Sequence, residues 1–357
     1  MIEARLKKRF PPRTESAAFD LDLTLEAGAG VTVLFGPSGS GKTLTLDMLA
    51  GFVQPDDGRI LLDDELLYDG AAGVFLAPQR RRCSYVFQNY ALFPHMTLRE
   101  NLDFAAHRWP RLERHRRVNE MLERFRLDEV GGRRPAELSG GQKQRCSIAR
   151  ALIGQPRVLL LDEPARGLDA PLREELYETL RQVRTQFQTP ILLVTHDLEE
   201  CFALGDDMYV IHSGRIAQRG APAAIFSQPV SIEVARLLGA FNLVPAEITM
   251  LDPGRDRSKL LLAGGHELEG PYYPERLKGD RVWVCARHSD VRALPRDGRL
   301  RRNQIPSRLV RVVARPRGVL VEFEGGLAVE MSGGEFARQP QDTDWVVEFP
   351  SESLRIL

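Results

Sequence analysis

Short aliphatic runs alternate with longer segments of helical periodicity through the first two thirds of the chain. Such runs predict buried strands, and their alternation with helices is typical of a mostly parallel α/β sheet. Apolar residues at helical spacing from Leu172 to Phe187 predict a helix with one face in the core. The predicted strands are Val31–Phe35, Cys83–Phe87, Val158–Leu161, Ile191–Thr195 and Met208–His212.

Near residue 240 the helical periodicity ends, and short strands of alternating apolar and polar residues follow. Glycine, proline and aspartate separate these strands, as is typical of a small antiparallel domain. We therefore predict an α/β domain over residues 1–240 and a small all-β barrel over residues 241–357. The strands predicted for the barrel are Val244–Thr249, Lys259–Leu262, Arg281–Ala286, Leu309–Ala314, Val319–Phe323, Leu327–Met331 and Trp345–Phe349.

The composition is that of an ordinary globular protein, with 43% hydrophobic and 27% charged residues. The 49 basic and 49 acidic residues cancel, which argues against a dedicated nucleic-acid-binding protein. No secretion leader and no apolar run of about 18 residues is expected, so we predict an intracellular chain without a membrane span. The four cysteines lie far apart, without the spacing of a zinc site.

A glycine-rich loop follows the first predicted strand and precedes a helical segment. Its glycines allow successive N–H groups to point inward as an anion site, and the helix N-terminus adds its dipole. Lys42 is expected to reach the β- and γ-phosphates of a nucleotide, and the Thr43 hydroxyl to bind Mg²⁺. The loop consists of Gly36, Pro37, Ser38, Gly39, Ser40, Gly41, Lys42 and Thr43.

Two carboxylates end the strand Val158–Leu161, at the sheet edge where α/β proteins place their ligands. Asp162 is expected to hold Mg²⁺ through water. Glu163 is suited to take a proton from an attacking water molecule.

The segment Leu138–Gln142 reads Leu-Ser-Gly-Gly-Gln and precedes a helical pattern. Ser139 and Gln142 have the spacing of a capping box, which is one interpretation of the segment. A cap does not need two glycines, however, and bare N–H groups at a helix start approach a phosphate closely. The alternative interpretation is therefore a phosphate contact that completes the site of a second copy.

These elements appear in order with Gln88, Leu168-Asp169 and Thr195-His196-Asp197. Together they resemble the ATP-binding-cassette (ABC) ATPases over about residues 1–240, and Leu-Ser-Gly-Gly-Gln is highly specific to that family. The resemblance implies a P-loop cassette with a helical subdomain, acting on ATP and Mg²⁺ as a head-to-tail homodimer. Each ATP would lie between the phosphate loop of one chain and the Ser139, Gly141 and Gln142 of the other.

The resemblance also implies roles for individual residues. Glu163 and His196 would be catalytic, with His196 at the γ-phosphate, and Gln88 would sense both Mg²⁺ and a membrane partner. Thr43, Gln88 and Asp162 would surround the metal ion. The nucleotide contacts implied beyond the phosphate loop are Gln88, Ser139, Gly140, Gly141, Gln142, Asp162 and Asp169.

Two positions depart from the family pattern. Arg166 stands where serine is typical in the loop before Asp169, which affects the hydrogen bonding expected of that loop across the dimer. The aromatic residue that normally stacks on adenine is expected within Phe10–Ser16, where Phe10 is the only aromatic residue.

A single cassette without fused membrane helices is similar to the ATPase subunits of bacterial importers. Such a subunit would lie on the cytoplasmic face of the inner membrane, with two permease subunits and a periplasmic or extracellular solute-binding protein. The segment Tyr90–Leu102 resembles the surface that receives the permease, with Leu92, Phe93 and Met96 as apolar contacts. The alternative is that these side chains form an internal helical core.

The β-rich tail resembles the accessory barrels (MOP/TOBE-like) of importers for oxyanions, sugars and similar solutes. Arg287–Arg292 resembles an Arg-Pro-Glu-Asp-Val motif of these barrels, with His288 and Ser289 in place of proline and glutamate. The segment from Asn303 to Leu309, with the strand that begins at Trp345, is most like the molybdate branch, and an oxyanion is a candidate ligand of the barrel. Sulfate or thiosulfate, iron and sugar importers remain alternatives, as does a purely structural barrel. Non-transport cassettes usually carry long coiled coils or a second cassette, and a small-molecule kinase would not need Leu138–Gln142.

Overall fold

The computed structural model describes residues 1–12, 18–187, 189–296, 298–315, 318–339 and 344–357. These residues form two compact units, Met1–Ser227 and Gln228–Leu357. The division predicted after residue 240 differs from this one, because the helix Ile232–Leu238 packs on the first strand of the second unit.

The first unit contains eleven strands and seven helices within its described residues. The strands are β1 (Ile2–Phe10), β2 (Phe19–Ala27), β3 (Val31–Phe35), β4 (Asp57–Leu62), β5 (Glu65–Asp69), β6 (Val74–Phe75), β7 (Cys83–Val86), β8 (Val158–Asp162), β9 (Ile191–Thr195), β10 (Asp207–His212) and β11 (Arg215–Gly220). The helices are α1 (Lys42–Ala50), α2 (Leu98–Ala105), α3 (Arg111–Arg124), α4 (Gly140–Ile153), α5 (Ala170–Phe187), α6 (Leu198–Leu204) and α7 (Pro222–Ser227).

A six-stranded sheet in the order β11-β10-β3-β9-β8-β7 forms the centre of this unit. All neighbouring strands are parallel except β10 and β11, so the predicted α/β fold is confirmed. The aliphatic runs of β3, β8 and β9 are buried because helices cover the sheet. In a parallel sheet all carboxyl ends lie at one edge, and this brings the ends of β3, β7, β8 and β9 together.

A second, antiparallel sheet in the order β2-β1-β4-β5-β6 was not predicted. Its buried face includes Leu21, Leu23 and Leu25 of β2, which alternate with polar residues. These leucines share one core with Leu34 and Leu160 of the parallel sheet. The antiparallel sheet therefore covers the parallel sheet, and β2 reaches the start of α1.

The second unit is built mainly from antiparallel strands, as predicted for the tail. Its elements are α8 (Ile232–Leu238), β12 (Phe241–Asp252), β13 (Arg257–Leu262), β14 (Glu267–Gly270), β15 (Arg281–Arg287), β16 (Arg292–Pro295), β17 (Gln304–Ser307), β18 (Leu309–Arg315), β19 (Gly318–Phe323), β20 (Ala328–Met331), α9 (Gly333–Ala337), β21 (Trp345–Glu348) and β22 (Arg355–Ile356). The sheets have the orders β14-β13-β12-β15-β22, β16-β21-β17 and β18-β19-β20. They enclose one apolar core around Ile248, Val284, Val347 and Phe349.

Among the helices of the described residues, none combines the length and apolar character needed to span a membrane.

Candidate functional site

The phosphate loop connects β3 to α1 at the edge where the carboxyl ends of the parallel strands meet. Gly41, the residue before α1, has a φ of +106°, and a Cβ atom there would lie 2.7 Å from Leu21. The start of α1 therefore presents bare backbone N–H groups, which is the geometry of an anion site. A cleft of about 350 Å³ opens beside this loop and is lined by Phe19, Ser38, Gly39, Gly41, Lys42, Thr43, Leu44, Gln88, Asp162, Glu163 and Arg166.

Lys42 lies under the phosphate loop with its side chain almost fully buried. Its Nζ donates to the carbonyl oxygens of Gly36 at 2.7 Å and Pro37 at 2.8 Å. Burial lowers the pKa of Lys42, and the nearby carboxylates of Glu163 and Asp162 partly oppose this shift. A nucleotide phosphate would supply the negative charge that such a buried ammonium group lacks.

Asp162 and Thr43 place two oxygen ligands side by side in the lining of the cleft. Thr43 Oγ1 donates to Asp162 Oδ1 at 3.0 Å, and the Tyr85 hydroxyl donates to Asp162 Oδ2 at 3.3 Å. Burial raises the pKa of Asp162, and the two hydrogen bonds lower it in part. Oxygen donors around a half-buried carboxylate suit Mg²⁺, which binds one or two protein oxygens together with phosphates and water.

Glu163 follows β8 in a left-handed backbone conformation, with a φ of +45°. Its N–H donates to the carbonyl oxygen of Val194 in β9 at 3.0 Å, and this bond fixes the residue at the sheet edge. Its carboxylate is 13% exposed and has two partners: His196 Nδ1 lies 3.2 Å from Oε1, and Arg166 Nη1 donates to Oε2 at 2.8 Å. The structure thus brings together the two residues expected to be catalytic. The sequence pointed to Arg166 as a departure, but not to its contact with Glu163.

A second cavity of about 140 Å³ adjoins the nucleotide cleft and is lined in part by Glu163, His196 and Glu200. Glu200 is 1% exposed, and its Oε1 has no hydrogen-bond partner among the described residues. The same holds for Nε of Arg173 and for the hydroxyl of Tyr177, which face it from α5. Burial is the main cause that raises the pKa of Glu200 to about 7. Sequence analysis missed this residue, although it lies only four positions after His196.

The segment Leu138–Gln142 forms the start of α4. Ser139 Oγ accepts from the Gln142 N–H at 3.2 Å, and Gln142 Oε1 accepts from the Ser139 N–H at 3.0 Å, so the capping box is present. A Cβ atom on Gly141 would lie 2.8 Å from Leu172, which gives this glycine a packing role as well. The described residues that line the nucleotide cleft include none of this segment.

The other residues predicted to act at the site lie at separate points of the structure. Gln88 follows β7 and lines the nucleotide cleft. Asp169 precedes α5, and its Oδ1 accepts from the N–H of Leu172 at 3.1 Å. Phe93 is half-buried, and its ring contacts the ring of Phe104 edge-on with a centroid distance of 4.9 Å. Phe104 itself is 53% exposed. Leu92 and Met96 are also half-buried, so this surface combines core packing with exposed apolar area.

The aromatic residue beside the phosphate loop is Phe19, whereas the sequence offered only Phe10 for contact with adenine. Phe10 ends β1 and pairs with Phe19 of β2, and it is Phe19 that lines the cleft beside Gly41. Residues 13–16 of the segment in which the aromatic residue was expected lie outside the described residues. The alternating pattern of β2 would have indicated Phe19 as a strand residue close to the phosphate loop.

Comparison with known proteins finds relatives among ABC transporters and import ATP-binding proteins. A family model for ABC transporters matches residues 19–166. The molybdenum import ATP-binding protein ModC of Paramagnetospirillum magneticum is 36% identical over 84% of this chain and 83% of its own length. ModC of Rhodospirillum rubrum is 41% identical over 68% of this chain, and the match spans 64% of that relative.

Relatives with another described solute are equally similar. The spermidine/putrescine import ATP-binding protein PotA of Oleidesulfovibrio alaskensis is 40% identical over 76% of this chain and 71% of its own length. Among solved structures, the dimeric ATP-binding cassette MJ0796 bound to ADP and Pi superposes with a TM-score of 0.53 at 26% identity. That superposition covers 62% of this chain and 99% of MJ0796. With the phosphate loop, the paired carboxylates and His196 at one sheet edge, these matches show that the chain belongs to the ATP-hydrolysing subunits of ABC transporters.

Proposed function

We propose that the chain is the ATP-hydrolysing subunit of a bacterial importer, and that it works as a homodimer beneath two separate permease subunits. It would lie at the cytoplasmic face of the inner membrane and serve a solute-binding protein on the other side. The observation that carries the proposal is that Lys42, Thr43, Asp162 and Glu163 line one cleft, while His196 lies 3.2 Å from Glu163 in the adjoining cavity. The ModC and PotA relatives, whose names describe import, support the transport role.

The arrangement supports a direct attack of water on the terminal phosphate. The water oxygen bonds to the γ-phosphorus, the bond from this phosphorus to the bridging oxygen breaks, and ADP leaves with the electron pair. Glu163 accepts the water proton at a carboxylate oxygen, and His196 orients that carboxylate through Nδ1.

The remaining residues bind and position the nucleotide. Lys42 and the N–H groups before α1 neutralise the phosphate oxygens. Thr43, Asp162 and Gln88 would hold Mg²⁺, which when bound neutralises charge on the β- and γ-phosphates. Phe19, at the mouth of the cleft, is the aromatic residue placed to stack on adenine.

A head-to-tail dimer accounts for a phosphate-binding segment that does not line the cleft of its own chain. Ser139, Gly140, Gly141 and Gln142 cap α4 and do not line the cleft of their own chain among the described residues. The dimeric state of MJ0796 supports a dimer of this chain, in which these residues would face the second copy. Asp169 would then lie in the loop that connects the two sites.

We further propose molybdate as the solute. Two ModC relatives support this choice, and one of them matches over most of the second unit as well as the cassette. The PotA relatives favour a polyamine as the second candidate. Uptake of labelled molybdate and spermidine by cells with and without the gene for this chain decides between them: loss of spermidine uptake alone would overturn the choice of molybdate.

The second unit is proposed to bind an oxyanion that regulates the dimer, with a purely structural role as the alternative. Calorimetry of the full chain with molybdate, tungstate and sulfate tests this proposal. The Lys42→Ala chain must be used, because the phosphate loop itself attracts oxyanions. Heat that persists in this variant supports a regulatory site, and absence of heat with all the anions leaves the structural role.

The role of Glu163 as base is tested by Glu163→Gln, which removes the proton acceptor at nearly constant shape. We expect hydrolysis to fall by roughly 10²–10⁴-fold while ATP still binds. The matched control is Glu174→Gln on the exposed face of α5, which should leave hydrolysis unchanged. A Glu163→Gln chain that hydrolyses ATP at the normal rate would exclude the proposed base.

A further inference from the structure

Arg166 is the one cation in direct contact with the proposed base among the described residues. Its Nη1 donates to Glu163 Oε2 at 2.8 Å, on the opposite side of the carboxylate from His196. The two contacts together fix the plane of the carboxylate. Arg166 thus acts on the orientation of the group that takes the water proton.

The backbone of Arg166 is held while its side chain reaches into the cleft. Its N–H donates to the carbonyl oxygen of Glu163 at 3.1 Å, and the Leu168 N–H donates to Ala165 at 3.2 Å, which makes the loop a pair of tight turns. The Arg166 side chain is 55% exposed and lines both the nucleotide cleft and the cavity beside His196. A guanidinium group has five N–H donors, so the bond to Glu163 leaves others for an oxygen in the cleft.

The charges of the cleft point to a phosphate as that acceptor. Lys42 and Arg166 are the basic residues of its described lining, and Asp162 and Glu163 are the acidic ones. Lys42 donates to carbonyl groups of the phosphate loop, whereas Arg166 donates directly to the base. Guanidinium groups bind phosphate through paired donors and are stronger partners for it than neutral groups.

We propose that Arg166 is a positioning residue of the hydrolytic site that bridges Glu163 and the terminal phosphate of ATP. The inference rests on the proposed role of Glu163 as base. Since the base lies beside the phosphorus that water attacks, a guanidinium bonded to it meets the terminal phosphate rather than the inner two. ADP lacks this phosphate, so Arg166 distinguishes ATP from ADP.

The test compares Arg166→Ala and Arg166→Lys with Arg181→Ala, a matched arginine on α5 that pairs with Glu174 and Glu178 away from the cleft. Fluorescent ATP and ADP analogues report binding, and phosphate release reports hydrolysis. We expect Arg166→Ala to weaken ATP binding on the order of tenfold and ADP binding less than twofold. Arg166→Lys keeps the charge but not the paired donors, so its loss is intermediate. Arg181→Ala changes neither.

A second arm separates positioning from binding. In wild-type background Arg166→Ala slows hydrolysis at saturating ATP, whereas in the Glu163→Gln background it has no base to orient and slows hydrolysis no further. Its effect on ATP binding persists in both backgrounds. Equal losses for ATP and ADP, or no loss at all, overturn the inference while the nucleotide cleft stands. A wild-type chain that binds neither nucleotide would instead contradict the proposed function.

Discussion

Glu200 is a buried carboxyl group whose environment disfavours its charge. Arg173 and Tyr177 face it from α5, Glu163 from the end of β8, and Thr195 and Asp197 from the residues before α6. The attraction of Arg173 and a hydrogen bond from Thr195 do not outweigh burial, so the pKa of Glu200 rises to about 7. The proton is therefore held in the folded chain at a pH where an unfolded glutamate has lost it.

This difference makes stability depend on pH in a definite direction. Between the ordinary glutamate pKa of about 4.5 and about 7 the folded chain binds more protons than the unfolded one, so the stabilisation present below this range is lost as pH rises. We expect Glu200→Gln, which stays neutral, to gain up to about 3 kcal/mol relative to wild type between pH 4.5 and pH 8. Urea unfolding at several pH values measures this gain.

The control for this experiment is Glu199→Gln, the exposed neighbour on the same helix. Subtracting its curve removes the titration of the groups that both variants retain. If the Glu200→Gln and Glu199→Gln curves run parallel over the whole pH range, Glu200 is ionised in the folded chain and the expectation fails.

At the level of single residues, the sequence was informative wherever a role depends on the neighbouring residues in the chain. Lys42, Thr43, Asp162 and Glu163 were predicted because a phosphate loop and the end of an aliphatic strand determine their positions. Glu200 was not predicted, because its burial depends on α5 and β9. These are separate elements, and the residues next to Glu200 in the sequence do not indicate that they bury it.

The helix that carries the phosphate loop is completed by a buried arginine from another part of the chain. Arg81 is fully buried, and its Nη1 donates to the carbonyl oxygens of Met48 at 2.7 Å and Leu49 at 2.9 Å at the end of α1. Its Nε donates to Leu76 at 2.7 Å. The last carbonyl groups of a helix lack partners within it, and Arg81 supplies them here.

We expect Arg81→Met to lower the free energy of unfolding of the first unit by about 3 kcal/mol, because it leaves buried carbonyl groups without donors. Arg80→Met, at the exposed neighbouring position, should change it by less than about 0.5 kcal/mol. Urea unfolding followed by the fluorescence of Trp109, the tryptophan of this unit, measures both. Equal stability of the two variants would show that α1 does not depend on Arg81.

Helices and strands, like single residues, were predictable where the signal lies within a short stretch of sequence. The strands of the parallel sheet were assigned because an uninterrupted aliphatic run of β8 or β9 has few other interpretations. The alternation of Leu21, Leu23 and Leu25 with polar residues is an equally regular signal for β2. The role of Arg81 could not be predicted from neighbouring residues, since it lies in a run of three arginines and its partners in α1 precede it by more than thirty residues.

At the scale of the whole molecule, the two units have separate cores, and the boundary between them has a testable position. Val234, Ala235 and Leu238 of α8 are buried, and the Arg236 guanidinium lies over the ring of Trp283 at 5.4 Å within the second unit. We expect a chain ended after Ser227 to be soluble and to bind ATP as the full chain does. A chain ended after Asn242, near the predicted boundary, exposes the apolar face of α8 and should bind hydrophobic dyes more strongly.

Both truncations can be compared by size-exclusion chromatography and nucleotide binding. If the shorter chain precipitates while the longer one remains soluble and monodisperse, α8 is part of the cassette and the boundary lies after it.

The assembly of the ATP sites follows from the separation of two motifs on one chain. The phosphate loop lines the cleft and Ser139 does not, so in the proposed head-to-tail dimer each site would combine Lys42 of one chain with Ser139 of the other. Pairing a Lys42→Ala chain with a Ser139→Arg chain then places both defects in one site. The second site stays intact, and we expect one trapped ATP per dimer, measured with differently tagged chains and labelled nucleotide.

The reciprocal pairing makes the result decisive. A chain that carries both Lys42→Ala and Ser139→Arg, paired with a wild-type chain, has one defect in each composite site and should trap no ATP. If each site belonged to a single chain, the two outcomes would be exchanged: the separated defects would abolish trapping, and the combined defects would leave one site active. Because the two dimers contain the same substitutions and differ only in their distribution, general loss of stability cannot produce this reversal. The count of trapped nucleotides therefore reports directly on which chain completes the site.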